Sequence, residues 1–173
     1  MNGVVIRRAL ADDVPGIVRV HWDSNQTTYI DSGRVERELI EAWTFEQRAA
    51  RWRRAVAVAV GDLEPDEGDV RSDVWVAVDG EHIVGWAESG PPRAAVAPRD
   101  LELHGLYVLD AYHGMGVGQA LLDAAIGDRP ALVWALGGSP TRALAFYRRN
   151  GFEPDGTEVP FQHWNVPAIR LVR

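Results

Sequence analysis

The sequence predicts an α/β fold, because helix-like and strand-like apolar patterns alternate along the chain. Its 173 residues fit one domain, which we expect to span residues 1–173. The composition, 46% hydrophobic and 25% charged, is that of an ordinary globular protein able to build a core. The predicted order of elements is β-α-α-β-β-β-α-β-α-β-β, and no internal repeat interrupts it.

The N-terminal segment is predicted to hold a strand followed by two helical regions. Residues 4–6 form the strand, and the acidic pair Asp12 and Asp13 ahead of Pro15 is typical of a helix start. Apolar and aromatic residues then lie on one face of this helix, at Val14, Ile17, Val18, His21 and Trp22. A second helical region is predicted over residues 34–60.

A β-hairpin is predicted in the middle of the chain. Asp79 and Gly80 form a strong hairpin signal, because β-rich runs at residues 72–78 and 82–88 lie on either side. The neighbouring segments are an acidic loop at residues 62–69, a proline-rich loop at residues 90–99 and a strand at residues 101–109.

The rest of the chain alternates helices and strands. A helix directly follows a glycine cluster, and a strand at residues 131–136 and a helix at residues 141–150 come next. Gly151 is expected to end that helix in the left-handed conformation. The last two strands are predicted near Phe161 and Ile169.

The composition excludes several classes of enzyme and partner. Cysteine is absent, which excludes disulfides, thiolate metal sites and cysteine nucleophiles. All 18 basic residues are arginine, so the lysine of a Walker phosphate loop or a pyridoxal Schiff base is missing. The net charge of −7 argues against nucleic acid and weakly favours a cationic substrate. We expect a cytoplasmic protein without metal or membrane contact, because the histidines are scattered and no apolar run approaches about 18 residues.

The most informative segment is a glycine-rich turn between a strand and a helix, His113-Gly114-Met115-Gly116-Val117-Gly118. Such a turn presents free backbone N–H groups and the positive end of a helix dipole to an anion, so we expect it to hold a phosphate. A Walker loop would need a lysine, and a dinucleotide fingerprint would not have glutamine in its sixth position. The remaining alternative is a glycine-rich connection without a ligand.

This turn resembles the cofactor motif of the GNAT superfamily of N-acetyltransferases, Arg/Gln-x-x-Gly-x-Gly/Ala, with His113 in the Arg/Gln position. Residues 143–152 resemble the second signature of the family, Asn-x-x-Ala-x-x-Phe-Tyr followed by Gly-Phe. Pro140 occupies the Asn position, and Ser139 is the available substitute for its side chain.

The resemblance implies a GNAT-like, acyl-CoA N-acyltransferase fold: a mixed, largely antiparallel sheet flanked by helices on both faces. The sheet would splay between the strands that end near Leu109 and Leu136. Acetyl-CoA would be the cofactor, and its acetyl group would pass directly to a primary amine of a small molecule or peptide. A homodimer is a further expectation. The alternative function is a catalytically silent acyl-CoA-binding regulatory module.

The resemblance also implies a set of cofactor-binding residues on the strand, the turn and the following signature. They are Leu106, Val108, His113, Gly114, Met115, Gly116, Val117, Gly118, Ser139, Phe146 and Tyr147. Most of the contacts that the family implies at the turn come from backbone N–H groups.

Candidates for the base that deprotonates the amine lie on the strand before the turn. Glu102, His104, Leu106 and Val108 occupy alternate positions, which predicts that they share a face near the reacting end of the cleft. Glu102 ranks first because the resemblance places acidic residues there, and His104 second because an imidazole titrates near neutral pH. Glu88 is a third candidate. An exposed carboxylate and a structural histidine are the alternative roles of the first two.

The candidate acid lies in the second signature. Tyr147 follows Phe146 in a helix, and a phenol can lend a proton to a departing thiolate. We therefore expect Tyr147 to be the catalytic acid. Its alternative role is that of a core aromatic residue packed beside Ala143.

Overall fold

Strands from the whole chain combine into one mixed sheet. The computed structural model describes residues 3–31, 33, 35–66, 71–137, 141–161 and 166–173. Its strands are β1 (Val4–Arg8), β2 (Asp73–Asp79), β3 (His82–Gly90), β4 (Glu102–Val108), β5 (Leu132–Leu136), β6 (Glu153–Pro160) and β7 (Pro167–Val172). They lie in the order β1-β2-β3-β4-β5-β7-β6. Neighbouring strands are antiparallel except β4 and β5, which confirms the predicted mixed, largely antiparallel sheet.

Helices cover both faces of this sheet, as predicted. They are α1 (Val14–Asn25), α2 (Arg37–Glu41), α3 (Phe45–Val60), α4 (Val117–Ala125) and α5 (Arg142–Arg149). Leu121 of α4 packs in one core cluster with Ala87 of β3. Ile17 of α1 and Trp52 of α3 pack in a second cluster with Trp86. Adjacent residues of β3 thus serve different clusters, because successive side chains of a strand point to opposite faces.

The helical region predicted over residues 34–60 is divided into α2 and α3. The Thr44 hydroxyl accepts a hydrogen bond from the Gln47 backbone N–H at 3.3 Å, and the Gln47 side chain accepts one from the Thr44 N–H at 2.9 Å. This reciprocal capping box starts a new helix at residue 45. The predicted region is therefore helical, but not one continuous helix.

The predicted turn signals agree with the structure. Gly80 lies between β2 and β3 with a φ of +59°, which confirms the hairpin. Gly151 follows α5 with a φ of +80°, the left-handed stop that the sequence predicted. Ile169 lies in β7, whereas Phe161 lies one residue beyond the end of β6.

The junction between β4 and β5 opens the sheet. The two parallel strands pair at two positions, Glu102 with Leu132 and Leu103 with Val133. Their remaining described residues do not pair with each other. The strands therefore diverge toward their C-terminal ends, where the sequence predicted a splay. A cleft between them follows directly from this short pairing.

Gly16 of α1 lies close against Ile83 of β3, and this contact allows the packing to be tested. A Cβ on Gly16 would lie 2.5 Å from Cγ1 and 2.8 Å from Cβ of Ile83, closer than carbon atoms approach. We expect Gly16→Ala to lower the free energy of unfolding by about 1–3 kcal/mol, measured by urea denaturation. Gly118→Ala is the matched control, because its nearest neighbour would be Phe146 at 3.7 Å. Equal stability of the two variants would contradict the packing described here.

Candidate active site

A cleft of about 1190 Å³ lies between the diverging ends of β4 and β5 and continues over α1 and α3. At one end it is lined by α5 and by part of the glycine turn, which we define as residues 113–118; the lining residues of the turn are His113, Gly114, Gly116 and Gly118. At the other end it is lined by the aromatic pocket, which we define as His21, Trp43, Trp52, Trp86 and Tyr107. The two ends meet along β4, so a ligand held at one end can reach a ligand held at the other.

The glycine turn delivers an uncapped helix N-terminus to the cleft. Gly114 and Gly116 have φ values of +78° and +83°, which favour glycine, and Gly116 is the residue before α4. The first N–H groups of α4 have no partner within the helix, and no side chain caps them. In α5, by contrast, Thr141 accepts a hydrogen bond from the Leu144 N–H at 2.9 Å. The start of α4 is therefore free to bind an anionic group.

Three residues of the predicted cofactor set, His113, Met115 and Val117, have side chains that are not directed at a ligand. His113 turns back, with Nε2 2.9 Å from the Val108 carbonyl oxygen, while its backbone N–H donates to the Asp110 carbonyl at 3.0 Å. The side chains of Met115 and Val117 do not line the cleft, since one is half exposed and the other is fully buried in the core. His113 thus fixes the turn against β4, and only the backbones of Met115 and Val117 remain available to a ligand.

The other predicted cofactor residues within the described part of the chain do line the cleft. Together with His113, those that the structure brings together there are Leu106, Val108, Gly114, Gly116, Gly118, Phe146 and Tyr147. Ser139 lies outside the described residues. Arg142 and Arg149 of α5 line the same end, a pair of cations that the sequence reasoning missed.

A bulge in β4 corrects the predicted strand face. Leu103 and Val108 pack in the same core cluster although they are an odd number of residues apart. Strict alternation would place them on opposite faces. The register between β3 and β4 shifts at Glu88, where His104 is the additional residue. The prediction that Glu102 shares a face with Leu106 is therefore wrong, because the bulge reverses the alternation between them.

Glu102, the first-ranked base, is buried and already engaged. Its side chain is 1% exposed and does not line the cleft. It accepts hydrogen bonds from the Arg93 backbone N–H at 2.9 Å and from Arg93 Nε at 2.7 Å, and Arg93 Nη2 also contacts it. The carboxylate therefore holds the loop after β3 and has no contact with the space where a substrate would lie.

Glu88, unlike Glu102, lines the cleft. It accepts hydrogen bonds from Arg51 Nη2 at 2.7 Å and from the Ser72 hydroxyl at 2.9 Å. Burial alone would raise its pKa, but the proximity of His104 and Arg51 outweighs burial and lowers the pKa to about 2. Glu88 is therefore ionised at neutral pH.

His104 lies at the bulge with its two ring nitrogens in different surroundings. Nε2 is 2.9 Å from the Pro91 carbonyl oxygen, and Nδ1 is 4.0 Å from a carboxylate oxygen of Glu88. Because a carbonyl only accepts, the proton of the neutral ring belongs on Nε2. This leaves Nδ1 as a proton acceptor beside a fixed negative charge.

Tyr147 lies at the boundary between the core and the cleft. It packs in the core, with its ring 5.8 Å from that of Phe152, and it also lines the cleft. Burial raises the pKa of its hydroxyl, and the neighbouring Tyr107 adds to this effect. The phenol therefore keeps its proton at neutral pH and can donate it.

The aromatic pocket is closely packed around His21. The His21 ring lies 5.0 Å from that of Tyr107 and 5.4 Å from that of Trp86, and Trp86 stacks on Tyr107 at 4.8 Å. Gly105 leaves room for this stack, since a Cβ there would lie 2.9 Å from the Trp86 ring. The sequence placed His21 on the apolar face of a helix, and the cleft at its edge appears only when the strands are assembled.

The described residues include neither a metal-binding cluster nor a helix that could span a membrane. Among the described residues, no group of three or more His, Asp and Glu side chains could hold a metal ion. In the same part of the chain, every helix is too short or too polar to cross a lipid bilayer.

Comparison with known proteins agrees with the fold. Residues 70–154 match the family model described as "Acetyltransferase (GNAT) domain". The "Uncharacterized N-acetyltransferase YuaI" of Bacillus subtilis (strain 168) is 24% identical over 174 residues, which cover 97% of this chain and 88% of that protein.

Solved structures give the same result. The PaiA N-acetyltransferase from Thermoplasma acidophilum in complex with coenzyme A superposes with a TM-score of 0.73 at 20% identity, over 96% of this chain and 97% of that one. A ribosomal-protein-alanine N-acetyltransferase from Brucella melitensis superposes with a TM-score of 0.62 at 20% identity, over 98% of both chains. The predicted GNAT-like fold is therefore confirmed.

The anion site at α4 can be tested through Gly118. In Gly118→Val the new side chain would enter the cleft beside Phe146 and Leu106, where a phosphate group approaches the N–H groups of α4. We expect the affinity for coenzyme A, measured by calorimetric titration, to fall at least about tenfold, or about 1.4 kcal/mol. Ala124→Val, in the same helix but outside the cleft, is the control and should leave affinity unchanged. Unchanged affinity in Gly118→Val would contradict an anion site there.

The aromatic pocket predicts a pH dependence of stability. Burial lowers the pKa of His21 to about 3, the charges of Arg48 and Arg51 add to this effect, and Glu88 opposes it. In the unfolded chain His21 takes up a proton near pH 6.5, whereas in the native chain it stays neutral at that pH. The free energy of unfolding therefore decreases as the pH falls below about 6.5. We expect a loss of about 2 kcal/mol from this group between pH 7 and pH 5. His21→Phe should reduce that loss in urea titrations, and parallel curves for the two proteins would disprove the assignment.

Proposed function

The chain belongs to the GNAT acetyltransferase family and is an acyltransferase, and from this premise we propose that it transfers the acetyl group of acetyl-CoA directly to a primary amine. The observation that carries the proposal is the cleft between β4 and β5, which joins an uncapped helix N-terminus to a buried pair of titratable side chains. One end suits a phosphate-bearing cofactor, and the other suits proton transfer.

The glycine turn and α5 are the proposed cofactor site. The free N–H groups at the start of α4 suit the pyrophosphate of coenzyme A, and Arg142 and Arg149 add positive charge at the same end. Leu106, Val108 and Phe146 supply apolar walls for the remainder of the cofactor. When bound, acetyl-CoA supplies the acetyl thioester and its thiol leaving group.

Transfer to an amine requires that the amine first lose its proton. An alkylammonium with a pKa near 10.4 is about three pKa units from neutrality at pH 7, which corresponds to about 4–5 kcal/mol. We assign this step to His104, because the Pro91 carbonyl occupies Nε2 and leaves Nδ1 as the proton acceptor of the neutral ring. Glu88 is the positioning residue, because its negative charge stabilises the imidazolium that forms 4.0 Å away.

Glu102 has a structural part in this proposal. Its hydrogen bonds with Arg93 hold the loop that also carries Pro91, the partner of His104 Nε2. Its effect on the reaction is therefore indirect, through the orientation of the imidazole. This interpretation replaces the ranking that the sequence suggested.

Tyr147 is the proposed acid for the departing thiolate. Its phenol is protonated at neutral pH and can donate a hydrogen bond to the departing sulfur. Because its pKa is raised above 10, whereas the conjugate acid of the thiolate has a pKa near 8.5, we expect it to stabilise the thiolate by this hydrogen bond rather than by complete proton transfer. The sequence contains no cysteine, so a cysteine acyl intermediate is excluded, and direct transfer fits the groups that line the cleft.

The proposal is tested by comparing two histidine variants in a thiol-release assay with acetyl-CoA. The acceptors would be polyamines, amino acids, aminoglycosides and peptide N-termini, and the best of them would be used for kinetics. We expect His104→Gln to lower turnover about 10²–10⁴-fold at pH 7, the usual contribution of a general base. The deficit should shrink as the pH approaches the amine pKa near 10.4, because solution then supplies the neutral amine.

His82→Gln is the matched control, because His82 is exposed at the start of β3, away from the cleft. It should retain wild-type turnover. Equal turnover of the two variants would remove His104 from the reaction. Wild-type binding of coenzyme A with no turnover on any amine would instead support the catalytically silent module.

A further inference from the structure

The aromatic pocket is rich in positive charge. Arg48, Arg51 and Arg93 line the cleft at this end, although the chain as a whole carries a net charge of −7. Arg51 is paired with Glu88 at 2.7 Å, and Arg93 is paired with Glu102. The charges of Arg51 and Arg93 are therefore neutralised by carboxylates of the protein itself.

Arg48 differs from both. It is 1% exposed, and no described carboxylate oxygen lies within 4.0 Å of its guanidinium. Its Nε donates to the Trp43 carbonyl at 3.0 Å and its Nη2 to the Ile40 carbonyl at 2.8 Å. Nη1 donates no hydrogen bond to any residue that the structure describes. The guanidinium also faces the rings of Trp22 and Trp43, at 5.4 and 4.8 Å.

Carbonyl dipoles and ring faces attract a cation, but they do not neutralise it. Buried arginines are almost always paired with an anion, since removing the charge from water is costly. Burial accordingly lowers the pKa of Arg48, and Tyr107 is the ionisable group that opposes this effect. A buried cation of this kind at the edge of a cleft is suited to an anion that arrives with a ligand.

The surroundings of Arg48 relate this site to the proposed chemistry. Arg48, Glu88 and His104 all line the cleft, so the buried cation and the proposed catalytic pair lie on the same cavity. Trp86 and Tyr107 line the same cleft, and aromatic side chains favour an apolar or aromatic body. A ligand that fills this pocket would present an anionic group to Arg48 and its amine to His104.

We propose that the acceptor is an amine that also carries an anionic group, a carboxylate or a phosphate, and that Arg48 binds this group in the aromatic pocket. The inference rests on the proposed acetyl transfer and specifies its substrate class. It reverses the expectation from net charge, which favoured a cationic substrate, because the charge of the cleft is set by local pairing.

The test compares acceptors that differ only in the anionic group. Phenylalanine is paired with phenethylamine, and O-phosphoethanolamine with ethanolamine, and kcat/KM is measured for each by thiol release from acetyl-CoA. We expect the wild-type enzyme to favour the anionic member of at least one pair by about tenfold or more. The pair that shows the preference identifies carboxylate or phosphate as the group that is bound.

Arg48→Gln should reduce this preference toward one, mainly by raising KM for the anionic acceptor, because the contact is remote from the reacting bond. Arg48→Lys keeps the charge and should retain part of the preference. Arg53→Gln is the matched control, since Arg53 lies on the same helix but is exposed and paired with Glu46. It should leave the preference intact. A loss of folding would lower both members of a pair equally, whereas loss of anion binding changes their ratio.

The outcomes separate this inference from the proposed function. Acetylation of the amines with no preference for anionic acceptors, or a preference that survives in Arg48→Gln, overturns the inference and leaves acetyl transfer standing. If Arg48→Gln does not fold, the other two enzymes are compared. A wild-type preference for the anionic acceptor that Arg48→Lys retains only in part supports the inference, and a preference that Arg48→Lys leaves unchanged overturns it. Absence of acetylation with every amine, despite coenzyme A binding, overturns the proposed function and this inference with it.

Discussion

The short pairing between β4 and β5 is the constraint on which the rest of the site depends. Each strand is paired along its length on its other side, β4 with β3 except at the His104 bulge and β5 with β7, but the two share only two residue pairs with each other. The backbone groups beyond those pairs would be costly to bury without partners, so they lie along a cleft that a ligand or water can enter. The glycine turn then directs α4 so that its N-terminus opens onto the same space.

A second constraint is the bulge at His104, which places titratable groups beside the diverging strands. Bulges redirect side chains, and this one separates Glu102, held by Arg93, from the residues that face the cleft. Glu88 remains ionised while buried because His104 and Arg51 lower its pKa, and the Ser72 hydroxyl also donates a hydrogen bond to it. Removing one partner from such a network leaves a buried charge uncompensated, so its members depend on one another.

Local features of the fold were predictable from sequence, and features set by register were not. The glycine turn, the hairpin at Gly80 and the helix stop at Gly151 each depend on a few adjacent residues, and each lies where the sequence placed it. The break between α2 and α3 also had a local signal, since Thr44 and Gln47 have capping-box spacing. The face of Glu102 could not be predicted from alternation, because a bulge depends on how β4 pairs with β3. Whether Arg48 has a carboxylate partner depends on which acidic side chains lie near it in the folded chain, and composition does not show this.

The central claim is that the diverging strands and the start of α4 form the site of coenzyme A. The most direct test is an NMR titration of the isotopically labelled protein with coenzyme A. The account predicts that the largest amide shifts occur at residues 116–119 and along the second half of β4. Saturable binding that leaves those amides unchanged, with shifts confined to β1 and β2 at the far edge of the sheet, would contradict it.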